Sequence, residues 1–153
     1  MDISRITDDL LVGRTPGSAD FEHLYGMGVR LVINMRFWPG SRPKPTKPKL
    51  QYLRLRTFDS PLAPIPVAAL IRGARAALRV IQEGGQVYTH CSRGRHRSVA
   101  MAAAILIAQG HSAEEAMALI KKNRPDADPG AAHIQSRILE FEQVWNLVHE
   151  AQP

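Results

Sequence analysis

Residues 86–110 read QVYTHCSRGRHRSVAMAAAILIAQG. The first part, residues 86–90, is a short strand that runs straight into the loop HCSRGRHRS, His90 to Ser98. Residues 98–109 then carry no charge, and Gly110 closes them. A helix that is apolar all round is a buried one. Its N-terminus therefore points out of the core at the loop, bringing unpaired N–H groups and partial positive charge to the place where an anion would sit. Strand, anion-accepting loop and buried helix form one coherent layout for binding a phosphate.

The loop holds the only cysteine, Cys91, with Arg97 six residues on and the Ser98 hydroxyl beside it. Breaking a phosphate ester through a covalent phosphocysteine needs that set. With Gly94 at its middle, the loop can turn the N–H groups of residues 92–97 inward as a nest for a tetrahedral anion. The planar fork of Arg97 can hold two phosphate oxygens at once. Cys91 attacks phosphorus only as thiolate, and positive surroundings lower a thiol's pKa. Ser98 can donate a hydrogen bond to sulfur, cap the buried helix, or do both. His90 is expected to orient the loop through backbone hydrogen bonds. Ser92, Arg93, Gly94, Arg95 and His96 complete the candidate substrate-binding set, with Arg93, Arg95 and His96 radiating from the rim or simply solvated.

The leaving oxygen needs a proton. Asp59, in FDSPLAPIP, is the only acid between Glu22 and Glu83. It follows a strand and sits in a proline-rich loop placed to close over a site. The eleven bases of that interval favour its charged form, whereas desolvation over a bound phosphate dianion would push the other way. The plainer reading is that it starts the turn with Ser60 and Pro61. His133 and Gln135, after the Pro129-Gly130 break, are candidates to approach the site or position water, and more ordinarily polar residues of core or surface. Trp38 is read as a packing residue.

At 153 residues, 44% hydrophobic and 22% charged, the chain is expected to be a single globular domain over residues 1–153. One cysteine forms no internal disulfide, and nothing in the composition suggests a zinc site. No signal peptide is visible, and the longest apolar run, residues 99–108, is half of what spans a bilayer. The expected compartment is the cytoplasm. The net charge of +6 is unevenly spread: −3 over residues 1–22, +12 over residues 23–97 and −3 beyond. The positive block ends with the phosphate-like loop, and its field draws anions there unless it serves only solubility.

Residues 10–14, 29–36 and 50–57 read as further strands. Helices are expected over residues 19–25 with Ser18 as cap, over 66–82 with Pro66 in first position, from a Ser112–Glu115 capping box to about Asn123, and over 131–149. Residues 39–49, PGSRPKPTKPK, hold four prolines and read as an extended basic loop. Strands alternating with helices argue a mostly parallel or mixed α/β sheet of about five strands flanked by helices.

HCSRGRHRS resembles the His-Cys-x5-Arg-Ser/Thr loop of the cysteine-based protein tyrosine phosphatase superfamily. Asp59, about thirty residues earlier, matches the general-acid loop of its compact dual-specificity branch. ITDDLLVGRTPGSADFEHLYGMGVRLVINMR and HSAEEAMALIKKNRPDADP are similar to that branch's opening and to its stretch after the buried helix. The resemblance implies Cys91 as nucleophile, Asp59 as general acid and then base, Arg97 as phosphate clamp and Ser98 as assistant in dephosphorylation, with no metal or organic cofactor. Val99 stands where the family often has glycine, and no tyrosine-containing recognition loop is found, which points to a shallow pocket. Three functions fit: a phosphatase for phosphotyrosine and phosphoserine or phosphothreonine in proteins, the same chemistry on a polyanionic phosphoinositide or RNA 5′ end, or a silent phosphate-binding module. A phosphorylated protein is the favoured partner and nucleic acid the less favoured one.

Overall fold

The computed structural model describes residues 1–38, 42–43 and 50–150. Most of the basic loop read over residues 39–49 lies outside them. The elements run β1 (Ile3–Arg5), β2 (Leu10–Arg14), α1 (Asp20–Gly26), β3 (Val29–Arg36), β4 (Gln51–Thr57), α2 (Val67–Gln82), β5 (Gln86–Cys91), α3 (Arg97–Ala108), α4 (Ala113–Asn123) and α5 (Ala132–Glu150).

One mixed sheet has the order β1-β2-β5-β3-β4. β1 pairs antiparallel with β2, and the other three pairings are parallel. β5 is thus the central strand, buried between β2 and β3, and its C-terminal end delivers Cys91. The period-2 alternation of strands sorts side chains between two faces. Leu10, Val12, Leu31, Ile33, Met35 and Val87 join α2, α3, α4 and α5 in the larger core, whereas Leu11, Val32 and Tyr88 meet Phe21 and Leu24 of α1 in the smaller one. Every residue from Val99 to Leu106 of α3 has no exposed surface. The four alanines among them let α2, α4 and α5 approach α3 together.

Local signals match the chain in most places and fail in a few. The capping box forms: Ser112 Oγ accepts from Glu115 N at 3.1 Å, and Ser112 N donates to Glu115 Oε1 at 3.2 Å. Ser18 does not cap α1. The helix starts at Asp20, whose own carboxylate reaches back to accept from Gly17 N at 2.7 Å. Pro66 stands one position earlier than expected, as an extended N-cap residue with ψ 134°. β1 was not expected; three residues carry no legible period, and pairing with β2 makes them a strand. In α5, Ile134, Ile138, Phe141 and Trp145 are buried, whereas Val148, which the helical period puts on the same face, is 40% exposed. Trp38 is 65% exposed, with its ring centroid 4.9 Å from that of Phe37 in an edge-on contact, so it packs only in part.

Candidate active site

The loop between β5 and α3 is held from behind. Gly94 has φ +68°, and a Cβ there would lie 2.6 Å from the Gly13 carbonyl on β2, so only glycine fits this turn. Arg124, 3% exposed, donates through Nε to the Gly94 carbonyl at 2.8 Å and through Nη2 to the Arg93 carbonyl at 3.1 Å. Asp128 N donates to the Arg95 carbonyl at 3.0 Å. Three consecutive loop carbonyls are thereby bound away from the pocket, which leaves the N–H groups to face it. Asp2 neutralises Arg124 with a two-pronged bond of 3.0 and 2.9 Å. Sequence reasoning missed Arg124, because nothing in KKNRPD marks an arginine whose partners lie 30 and 122 residues away.

Cys91 is 4% exposed, and its Sγ lies 3.2 Å from Ser98 Oγ. Burial pushes the thiol up. The Ser98 hydroxyl, the Ser98 and Gly94 backbone N–H groups and the Arg97 charge outweigh that and bring it below the ordinary cysteine value. Ser98 sits inside α3 and does not cap it; the N-cap is His96, with no side-chain capping bond. Arg97 is 9% exposed, and its Nη1 donates to the Thr57 carbonyl at 2.8 Å while Nη2 reaches Ser92 Oγ at 3.4 Å. Its buried Nε has no hydrogen-bond partner among the described residues.

His90 differs from the expectation. Neither ring nitrogen has a well-formed partner among the described residues, the nearby Cys91 carbonyl being what still favours a proton on the ring. The ring stacks on Tyr88 at 5.7 Å. Burial, then the Arg36 charge, lower its pKa to about 4 and keep it neutral.

Asp59 stands across the pocket from Cys91. The two residues, with Ser92, Arg93, Arg95, His96 and Arg97, line a small cleft of about 220 Å³. His96 does not radiate outward: it folds back, with Nδ1 2.9 Å from Asp59 Oδ2 and Nε2 3.3 Å from Asp128 Oδ2. His133, in the first turn of α5, places Nε2 2.6 Å from Asp59 Oδ1. The reading of His133 as an ordinary polar residue thus gives way to the other alternative. Gln135, two residues on, is exposed and outside the cleft. Partial burial raises the Asp59 carboxyl, but hydrogen bonds from His133 and then His96 prevail and hold it below the usual carboxylate range. Arg93 and Arg95 are exposed at the rim, where Arg95 Nε donates to the Asp126 carbonyl at 3.2 Å.

A depressed, buried thiol ringed by N–H donors, with an arginine fork and a facing carboxylate, is the equipment of a cysteine-dependent phosphatase. The chain belongs to the dual specificity phosphatase catalytic-domain family, whose pattern matches residues 19–144. It is 27% identical over 146 residues to mouse dual specificity phosphatase 28, covering 92% of this chain and 83% of that one. It is 37% identical over 130 residues to human phosphatidylglycerophosphatase and protein-tyrosine phosphatase 1, covering 78% of this chain and 63% of that one. The crystal structure of human DUSP28 superposes with a TM-score of 0.83 at 26% identity, over 95% of this chain and 96% of that one. That of PTPMT1 in complex with PI(5)P gives 0.81 at 29% identity, over 96% and 98%. The five-stranded mixed sheet flanked by helices is the fold these phosphatases share, and among the described residues no helix is long and apolar enough to cross a membrane.

Proposed function

We propose that this phosphatase works through a phosphocysteine on Cys91 and that its substrates are proteins phosphorylated on tyrosine and on serine or threonine. The observation that carries the chemistry is the Cys91 thiol, held below its ordinary pKa on the floor of a cleft that Asp59 faces. The phosphate settles on the N–H groups of residues 92–97, with the free Arg97 Nε and its neighbour Nη2 on two oxygens. The thiolate attacks phosphorus, an S–P bond forms, and the P–O bond to the leaving group breaks as that oxygen takes a proton from Asp59. Water then attacks phosphorus while the Asp59 carboxylate accepts its proton, and the S–P bond breaks. The departing thiolate is stabilised by the Ser98 hydroxyl at 3.2 Å.

Asp59 is ionised in the free chain, so its acid form is made on binding. A phosphate dianion brought against the carboxylate disfavours a second negative charge and raises its pKa. Dependence on one reduced cysteine fits work in the cytoplasm. The test is hydrolysis of p-nitrophenyl phosphate with a chelator present. Wild type should turn over, and Cys91→Ser should lose activity on the order of 10⁴-fold or more while retaining vanadate binding. Wild-type-like turnover in that variant would refute the mechanism.

A second reading, a polyanionic phosphate ester as substrate, has its own support. Arg42, Arg54, Arg56 and Arg72 line a groove of about 730 Å³ at the β4 edge, with no carboxylate among its lining residues. One buried guanidinium nitrogen of Arg54 lacks a partner among the described residues. Similarity to a phosphatidylglycerophosphatase points the same way. If this reading holds, a phosphoinositide should outcompete a phosphotyrosine peptide, and Arg54→Gln should narrow the gap.

A further inference from the structure

We propose that Asp59, His96 and His133 bind a divalent transition-metal ion of the zinc class, and that this ion shuts off hydrolysis by taking the Asp59 carboxylate away from the leaving group. The three residues come from three elements: the turn after β4, the N-cap of α3 and the first turn of α5. Their ligand atoms all lie within 4.8 Å of one another. Zinc bound to nitrogen and carboxylate oxygen at ~2.0–2.2 Å sets its ligands roughly 3.3 Å apart, so small rotations open these contacts around an ion. Two imidazoles and one carboxylate suit zinc rather than magnesium or calcium, which prefer oxygen alone.

The His96 ring carries the argument furthest. It lies between two carboxylates, with Asp59 on Nδ1 at 2.9 Å and Asp128 on Nε2 at 3.3 Å. A neutral imidazole has one N–H and satisfies one of them. Nδ1 thus stands beside the carboxylate oxygen that would share the ion, while Nε2 is turned to Asp128. Asp128 is at the same time the carboxylate that orients a ligating histidine from behind.

Access is open, because the side chains of His96, His133 and Asp59 are 21%, 18% and 36% exposed. Three protein ligands leave a fourth position, toward the cleft, for water or a phosphate oxygen. The arginines of the rim oppose a second positive charge, so the site holds its ion more weakly than a closed structural zinc site. The ligands sit 37 residues apart in each interval and form no sequence motif.

The inhibition rests on the phosphatase mechanism proposed above; the binding does not. The test therefore begins with Co²⁺ as probe in the full chain carrying Cys91→Ser, which removes the thiolate as a ligand. Co²⁺ should develop the visible bands of tetrahedral coordination, and Zn²⁺ should bleach them. In that background His133→Gln should weaken Co²⁺ binding roughly 100-fold, and Asp128→Asn, which touches no ligand atom, roughly 10-fold. Thermal midpoints establish that each variant is folded, and His96→Gln stands in if His133→Gln is not. In the second arm, Zn²⁺ should inhibit p-nitrophenyl phosphate hydrolysis by the otherwise wild-type chain, and a chelator should restore it. Absence of Co²⁺ bands in Cys91→Ser, or unchanged binding in the histidine variants, would overturn the site. Binding without inhibition would overturn its regulatory role. No hydrolysis under any condition would defeat the mechanism and leave the Co²⁺ result standing.

Discussion

The two halves of the active site are built in opposite ways. The loop carrying Cys91 is buried and held through its backbone: Arg124 and Asp128 N bind its carbonyls, and Thr15 Oγ1 donates to the Cys91 carbonyl at 3.0 Å. Asp59 sits on an exposed turn and is held by two histidine side chains. The nucleophile therefore rests on main-chain geometry, whereas the acid depends on two side chains that arrive from the N-cap of α3 and the first turn of α5. The nucleophile is preorganised, and the acid is adjustable.

Short of removing the nucleophile itself, the largest effect should come from removing the acid and leaving the loop intact. Asp59→Asn should slow hydrolysis of poor leaving groups by about 10²–10⁴-fold and that of p-nitrophenyl phosphate much less, as general acid catalysis requires. An equal loss on both would remove Asp59 from the proton-transfer role. Taking the support from the other half should cost stability as well as activity. Arg124→Gln leaves the Arg93 and Gly94 carbonyls and half-exposed Asp2 short of a partner, so unfolding in urea should show a loss of about 2–4 kcal/mol. A variant as stable as wild type would make the propping of the loop dispensable.

The rigid half contains a buried histidine that is sensitive to pH. His90 is held at about 4, below its ordinary 6.5, so as pH falls the unfolded chain takes up the proton first. Stability should be constant in this respect above pH 6.5, fall by about 3 kcal/mol toward pH 4 and level off below it. Urea midpoints across that interval in wild type and His90→Gln check this, since the variant should lack that component of the slope. The smallest effect should be a shift of profile. His133→Asn removes a donor that lowers the Asp59 pKa, so the acid form survives to higher pH. The basic limb of the kcat profile should then move to higher pH. A limb that stays in place would uncouple His133 from the acid.

The same division explains what could be read from the sequence. Nucleophile, phosphate fork and sulfur's hydrogen-bond donor all lie within eight residues between a strand and a helix, so local pattern carries them. β2, β3 and the capping box of α4 were legible for the same reason. Arg124 was not, because it acts on residues far along the chain and stands in no motif; His133 was named as a candidate to approach the site, but nothing in the sequence paired it with Asp59. His96 was placed but misdirected, since its neighbours Asp59 and Asp128 arrive from other elements. Ser18 and Ser98 are good capping residue types at plausible positions. The Asp20 carboxylate displaces one, and the Cys91 sulfur engages the other.

The alanine-rich helix behind the loop also bears on how such a chain could diverge. Ala100, Ala102, Ala103 and Ala104 have no exposed surface, so a larger side chain there would collide with a neighbouring helix or the sheet. Descendants that change their preferred substrate would do so more readily at Phe58, Leu62 and the rim arginines, which are exposed. The catalytic apparatus would pass between lineages nearly unaltered while its surroundings explored new partners.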